Sequence, residues 1–528
     1  MLDAAIIGAG HNGLVCAFYL ARAGQTVRLY EARGLVGGAA VTEEFAPGFR
    51  NSTASYTVSL LQPKVIADMD LARRGYRVIE RPVSNFLPLE GDHLLLGGGL
   101  AATQAEFARF SSRDAEALPG YYAMLETVAD VLRDLALRIP PRADGGLMAL
   151  ADAAMQSRKV ARLPLAAQRD VLALFTRSAR EVLDRWFESA PVKAAFGFDA
   201  CVGNYASPDA PGSAYVLLHH VFGEVNGNKG SWGHVPGGMG AITQAMAAAV
   251  REAGGEIVTD APVSQVLVED GRAVGLRLAS GEEARARRVI ANLGPKPLFD
   301  RLVPEDAVPA DFARAMAGYA GGSGSLRMNV ALADLPRFTH APAGDAHLKA
   351  GIVIAPSLDY MDRAWRDATE NGFSSAPIVE MLIPSLVDDG LVDDSLAPPG
   401  SHVASLFCQH VDPDMPAARE GAAVDAVLDT VERHAPGFRA LVLHTQVHTP
   451  RALEAKFGLW RGDIFHGRMS LDQLWAARPA LGAGSYATPV PGLWLCGAGT
   501  HPGGGVTGAP GHNCAHAILR DGKWWRQR

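Results

Sequence analysis

Cysteine is scarce. The 528 residues hold five (Cys16, Cys201, Cys408, Cys496 and Cys514), none spaced as Cys-x-x-Cys. That spacing excludes a zinc knuckle and a dithiol redox motif, and it makes a reducing compartment the simplest setting. Aromatic residues make up only 7% and are dispersed, so no local aromatic box can be read off. Long hydrophobic runs are missing: Arg, Asp or Glu breaks every apolar stretch before the roughly 18 to 20 residues that a membrane-spanning helix needs. The N-terminus has no basic, apolar and small-residue succession of the secretory kind, and a strand-like run begins at Leu2. A cytoplasmic location is expected, with peripheral contact to the inner face of a membrane left open. An excess of positive charge is also lacking. Lys+Arg 49 against Asp+Glu 56 leaves a net charge of -7, without the basic surplus of a phosphate-backbone binder, so nucleic acid is not an expected partner.

What is present is a globular composition, 48% hydrophobic and 20% charged, in a chain long enough for several domain-sized units at about 150 residues each. The first 31 residues read as strand, turn, helix and strand. Residues 2–7 are a short apolar strand, residues 14–23 are apolar all round, Gly24 stops the helix, and residues 26–30 return as a strand. A right-handed parallel βαβ opening of Rossmann type is the economical topology. Residues 101–200 are helical in character, with periodic stretches over 121–137 and 168–187. Within them Arg158, Lys159, Arg162, Arg169, Arg177, Arg180 and Arg185 meet only Asp170, Glu181 and Asp184. An anionic surface would attract this run, although a solvated helix face is its ordinary reading. A glycine turn at 236–240 precedes a helix over 241–252. Strand candidates follow at 256–258, 263–268, 273–278, 289–292, 325–332, 378–383 and 403–409, with a helix near 422–434. The tail resumes Rossmann character: a strand over 492–496, a glycine loop and a helix over 508–519.

Gly8, Gly10 and Gly13 form G-x-G-x-x-G between strand and helix, where absent side chains let a pyrophosphate approach the helix N-terminus. Glu31 ends the second strand, where a carboxylate accepts hydrogen bonds from an adenosine ribose. Gly37 and Gly38 follow it, placed to bring a loop against the same dinucleotide. Gly497, Gly499, Gly503, Gly505 and Gly508 precede the last helix, whose dipole would stabilise negative charge on a reduced flavin.

Together GAGHNGLVCAFYLARAG, GGAAVTEE, SWGHVPGGMGAITQAM, GDIFHGRMSLDQL and LCGAGTHPGGGVTGAPGHNCAH resemble the phytoene-desaturase-like flavoproteins, with the FAD-type beta-carotene ketolases a related branch. The resemblance runs nearly the whole length. It implies an α/β fold: a glutathione-reductase-like Rossmann FAD-binding domain with an inserted α+β substrate domain and a helical subdomain. The FAD-binding domain would comprise residues 1–60, 230–295 and 470–528. The substrate domain would comprise 61–229, largely helical, and 296–469, a sheet with helices. On matching positions the resemblance implies that Gly8, Gly10, Gly13, Glu31, Arg33, Gly37 and Gly38 hold the ADP half and pyrophosphate of FAD. It further implies that Val263 meets the adenine through its backbone and that Gly497, Gly505 and Val506 face the flavin. Ala498 stands where wider relatives place an acid, so contacts there fall to the backbone. Disulfide chemistry, named in one branch of the resemblance, has no redox Cys pair behind it, and no second G-x-G-x-x-G directly follows a strand to take a nicotinamide nucleotide.

His501 and His234 are the candidate catalytic residues, since each abuts a glycine loop expected near the flavin. The plainer reading of each is a loop histidine that hydrogen-bonds backbone or solvent. His219, His220, Tyr215 and Trp232 are candidates for lining the same cavity, or for packing. Met469, Leu471 and Leu474 read as core. The expected activity is FAD-dependent oxidation of a small apolar substrate with oxygen or a quinone as acceptor, and the resemblance implies an isoprenoid or polyene substrate. A flavin amine oxidase and a flavin-bearing regulatory protein are the alternatives.

Overall fold

In the computed structural model, residues 1–142, 146–388 and 396–525 are described. Strand β1 (Ala4–Ile7) is wholly buried and turns through glycines into helix α1 (His11–Arg22), which returns to strand β2 (Val27–Tyr30). Helix α1 is apolar all round because it is enclosed. Helix α2 (Met239–Glu252) and helix α3 (Ala509–Trp525) lie against it over one face of the sheet. Strands β3 (Glu256–Val258), β4 (Val289–Ala291) and β5 (Leu493–Leu495) complete a five-stranded parallel sheet in the order β3-β2-β1-β4-β5. Three stretches remote in sequence therefore build one dinucleotide-type sheet. Its other face is covered by a three-stranded antiparallel sheet (Val263–Glu269, Arg272–Leu278, Glu283–Arg285).

A second, seven-stranded sheet stands beside the first. Its order is Val442–His448, Ser325–Leu332, His402–Val411, Phe373–Leu382, Gly351–Ile354, Asn85–Pro88, His93–Leu96, and only the pairing of Gly351–Ile354 with Asn85–Pro88 is parallel. Ser325–Leu332 is buried at every position: Leu326, Met328, Val330 and Leu332 fill one face, while on the other Arg327 and Asn329 are buried through hydrogen bonds to Ala54, Leu406, Ser405, Asn51 and Gln446. A helical layer, including Ser112–Ala136, Ala190–Cys201 and Ser213–Val221, packs through its own apolar cluster onto this sheet.

Local readings and the fold part company in four places. The stretch over 168–187 is not one helix. Leu165–Thr176 and Ala179–Trp186 are separated at Ser178, whose hydroxyl accepts from the Glu181 N–H while Glu181 accepts from the Ser178 N–H. Asn85–Pro88 and His93–Leu96, inside the largely helical 61–229 segment, belong to the seven-stranded sheet. Ala46 and Phe49, from the first FAD-domain segment, pack on Ala331 and Val403 of that sheet. Conversely, Phe299, Phe312 and Tyr319 from the 296–469 segment pack on the parallel sheet. Apolar sheet faces recruit partners across the expected boundaries because burial is indifferent to chain distance. Finally, Leu471 is 51% exposed in a short surface turn, whereas Met469 and Leu474 are buried. Among the described residues no helix is long and apolar enough to cross a membrane, and no group of His, Cys, Asp and Glu is arranged to hold a metal ion.

Candidate active site

The turn between β1 and α1 leaves no room for side chains. Gly8 has φ +88°, and a Cβ on Gly13 would lie 2.3 Å from the Gly8 carbonyl oxygen. Gly13 thus lets helix and strand touch without itself lining a cavity. Gly10 precedes α1 with no side-chain cap, so the helix N-terminus keeps open N–H donors beside the cavity that Gly8, Gly10, His11 and Asn12 line. Gly37 donates its N–H to the Ala9 carbonyl at 2.9 Å, and a Cβ on Gly38 would come within 3.3 Å of the Gly10 Cα. The two glycine loops therefore form one cradle.

Glu31, buried at the end of β2, accepts from the Ala9 N–H at 2.8 Å and the Arg33 N–H at 3.1 Å while lining the cavity. The Arg33 guanidinium pairs with Glu43 at 2.5 Å, lies 5.1 Å over the Phe457 ring, and leaves Nη1 without a protein partner among the described residues. Lys456 reaches the same Glu43 at 2.9 Å. Val263 lines the cavity beside Pro262.

At the other end the loop after β5 closes the site. Gly505 (φ +97°) and Val506 (φ +57°, strained for a β-branched residue) line the cavity, and so does Ala498. Gly497 does not. Its carbonyl accepts from the Thr500 N–H and hydroxyl, and a Cβ there would meet the Leu293 carbonyl oxygen at 2.9 Å, so it supports the loop from behind. The fully buried Arg478 ties this loop to its neighbour, donating to the carbonyls of Phe465, Gly467, Arg468, Gln473 and Ala498.

Between the two ends runs one cavity of about 430 Å³. Among the described residues, four that line it bear buried polar atoms without a protein partner: His11 Nε2, Asn12 Oδ1, Arg33 Nη1 and His466 Nδ1. An uncapped helix N-terminus, an acid at the end of β2, an unfilled guanidinium donor and a side-chain-free cradle fit a dinucleotide.

Neither candidate catalytic histidine reaches this cavity. His501 turns away: its Nε2 meets the Leu135 carbonyl at 3.0 Å, and its ring stands edge-on to Trp475 at 4.4 Å. His234 sits in a short strand paired with Ile79–Glu80, its Nε2 3.2 Å from Asp388 Oδ2. Packing against the helical layer and the loop at Asp388 decides both orientations, which a neighbouring glycine run does not. The histidines that do line the cavity are His11, His220 and His466. Burial pushes His11 down to about 3 and both His220 and His466 to about 4, so all three are neutral at pH 7. Trp232 lines it too, stacked on His220 at 6.1 Å, whereas Tyr215 and His219 are buried behind. Lys456, Phe457 and Arg478 escaped sequence reading because no short motif carries them. Lys456 and Phe457 end a helix (Pro450–Phe457) of the inserted material and reach the cradle only through the fold.

A dinucleotide cradle on a Rossmann sheet, opening into a chamber walled by a second sheet, defines an FAD-dependent oxidoreductase. Residues 13–518 match the flavin-containing amine oxidoreductases, and the chain belongs to that family. It is 40% identical to the rat pyridine nucleotide-disulfide oxidoreductase domain-containing protein 2 across 98% of its own length and 93% of the relative's. Phytoene desaturase (lycopene-forming) of Pseudescherichia vulneris is 26% identical over 98% of this chain and 99% of its own. A putrescine oxidase variant shares the fold at TM-score 0.62 and 16% identity, covering 98% of each chain. All five cysteines are free and buried. Cys16, Cys496 and Cys514 do gather behind the cradle, which sequence spacing concealed: burial and the Cys16 neighbour raise the Cys496 and Cys514 thiols far above their ordinary range, while against its own burial the hydrogen bonds from those two bring Cys16 down to about 5.

Proposed function

We propose that the protein oxidises an apolar substrate, isoprenoid or polyene in kind, with oxygen or a quinone as terminal acceptor. The observation that carries this reading is the continuity of the cavity. The cradle formed by Gly8, Gly10, Glu31 and Arg33 opens without a wall into a chamber lined by Leu60, Phe198, Val202, Trp232, Ile464 and Phe465. FAD bound in the cradle supplies a two-electron acceptor for a substrate hydride. The chain's part is to hold the substrate dry and aligned. A Cβ on Gly505 would lie 2.4 Å from Leu60 Cδ1, and one on Gly504 the same distance from Phe465 Cδ1, so these apolar side chains press on the glycine loop and exclude water from it. The neutral His220 and His466 are proton acceptors of low basicity, which suits removal of hydride from carbon without a strong protein base. The phytoene desaturase among the relatives supports an isoprenoid class.

Substrate collection fits the same reading. Two helices, Gly146–Ala161 and Leu165–Thr176, expose Leu147, Leu150, Met155, Leu165 and Leu172 at 62–85% beside Arg158, Arg162 and Arg169. Apolar side chains among basic ones are what a protein resting on the anionic inner face of a membrane presents. The test of the activity is anaerobic titration of the flavin-loaded protein with polyenes, amines and reduced nicotinamides. Bleaching by polyenes alone is the expected result, and bleaching by amines alone would replace this reading with an amine oxidase.

A further inference from the structure

The cavity has a polar end on the seven-stranded-sheet side that a pure hydrocarbon would leave unused. Tyr56, Arg81, Asn85, Asp199 and Glu380 line it. Tyr56 stacks on Phe407 at 5.4 Å and donates its hydroxyl to Glu380 Oε2 at 2.5 Å. Arg327 is fully buried and fully engaged, donating to the Ala54 and Leu406 carbonyls and the Ser405 hydroxyl, with its guanidinium 4.3 Å over the Tyr56 ring. Arg81 is different. Among the described residues its side chain makes one hydrogen bond, to the Thr57 hydroxyl at 2.6 Å, and no ion pair within 4.0 Å. The Asn85 carboxamide and the Asp199 carboxyl have no hydrogen-bonding partner among the described residues.

The charges do not cancel. Arg81 and Arg327 face one carboxylate, Glu380. Burial, with Glu380 nearby, pushes Asp199 up to about 8, so that it is protonated and a donor at neutral pH. Donors without acceptors and a surplus positive charge, enclosed by Phe198, Val202 and Phe407, complement one negative charge rich in lone pairs. An ammonium group would meet the two guanidiniums instead.

We propose that this end of the cavity binds a carboxylate, making the substrate an amphipathic carboxylic acid whose chain runs past Leu60, Trp232 and Phe465 toward the glycine loop and whose head is fixed by Arg81. The proposal rests on the oxidoreductase reading and narrows its substrate class.

The experiment titrates flavin-loaded protein with oleate, oleyl alcohol and oleylamine, following the flavin absorbance shift. Oleate is expected to bind about tenfold or more tighter than the other two. Arg81→Met should weaken oleate by about ten- to a hundredfold with the alcohol unchanged, and Arg81→Lys should retain most of the preference. Oleate affinity should fall as pH rises through about 8, because ionised Asp199 repels the head, and Asp199→Asn should flatten that fall. The groups packed about Asp199 stay neutral across this window: His220 is held down at about 4, Cys201 up at about 12, and Tyr121 is raised further still. Equal binding of the three head groups, or an Arg81→Met protein that keeps the oleate preference, overturns the proposal. Loss of FAD from the unsubstituted protein would instead overturn the oxidoreductase reading beneath it.

Discussion

Glu31 does two things with one carboxylate. It accepts the Ala9 and Arg33 N–H groups, which sets the shape of the cradle, and it presents the remaining lone pairs to the cavity. Glu31→Ala therefore removes a charge-assisted contact worth about 1.5 to 3 kcal/mol together with a loop anchor. FAD retention after gel filtration is expected to fall at least about tenfold, while Glu31→Gln, which keeps one acceptor, falls less. Retention unchanged in the Ala variant would remove Glu31 from the site. His501 is the contrasting residue. With its ring engaged by Leu135 and Trp475, His501→Asn is expected to leave the rate of flavin reduction by substrate within about twofold, as a group outside the reacting atoms should. A loss of two or more orders of magnitude with FAD still bound would restore it as a catalytic residue.

At the scale of elements, the flavin-end loop is held by one side chain from another loop. Arg478 satisfies five backbone carbonyls that have left regular structure, and without it those oxygens lie buried and under-satisfied. Arg478→Met is expected to destabilise the protein by several kcal/mol, on the order of 3, and to lower FAD affinity by freeing Ala498 and Gly505. Thermal unfolding and flavin release measured together check it, and a normal midpoint with normal flavin content would contradict it. The exposed helix pair makes a separate prediction. Flotation with anionic vesicles at low salt should recover the protein, and Leu165→Glu with Arg169→Glu should abolish recovery without changing flavin content. Equal flotation of the double variant would dismiss these helices as the contact.

Across the whole molecule the cavity is assembled from residues 7–60, 262–302, 454–466 and 498–506, with further walls from 81–85, 198–232, 380 and 407. Binding energy of FAD is thus shared by segments that the chain brings together only on folding. FAD at one hundred times its dissociation constant should stabilise the native state by about 2.7 kcal/mol, and its removal should loosen the loops after Pro450 and after Leu495 together. Hydrogen exchange with and without FAD would report this as joint deprotection, whereas changes confined to residues near Gly8 would mean that the distant segments do not meet the cofactor.

The opening βαβ unit, its glycines and Glu31 were legible because their reasons are local. Gly13 must lack a side chain to clear Gly8, and an acid must end the neighbouring strand, whatever the rest of the chain does. Strands such as Ser325–Leu332 and the helix Glu420–His434 were legible for the same reason: each apolar pattern matches one element's period. By itself, then, the sequence determined the class of fold, the dinucleotide cradle and the family. Only the tertiary structure decided which histidines face the cavity, that Lys456 and Phe457 complete the cradle, and that Arg81 and Asp199 both line the cavity near Glu380. Those outcomes depend on side-chain directions and on contacts between residues hundreds of positions apart. A periodicity or a motif records neighbours along the chain, whereas packing and charge act through space.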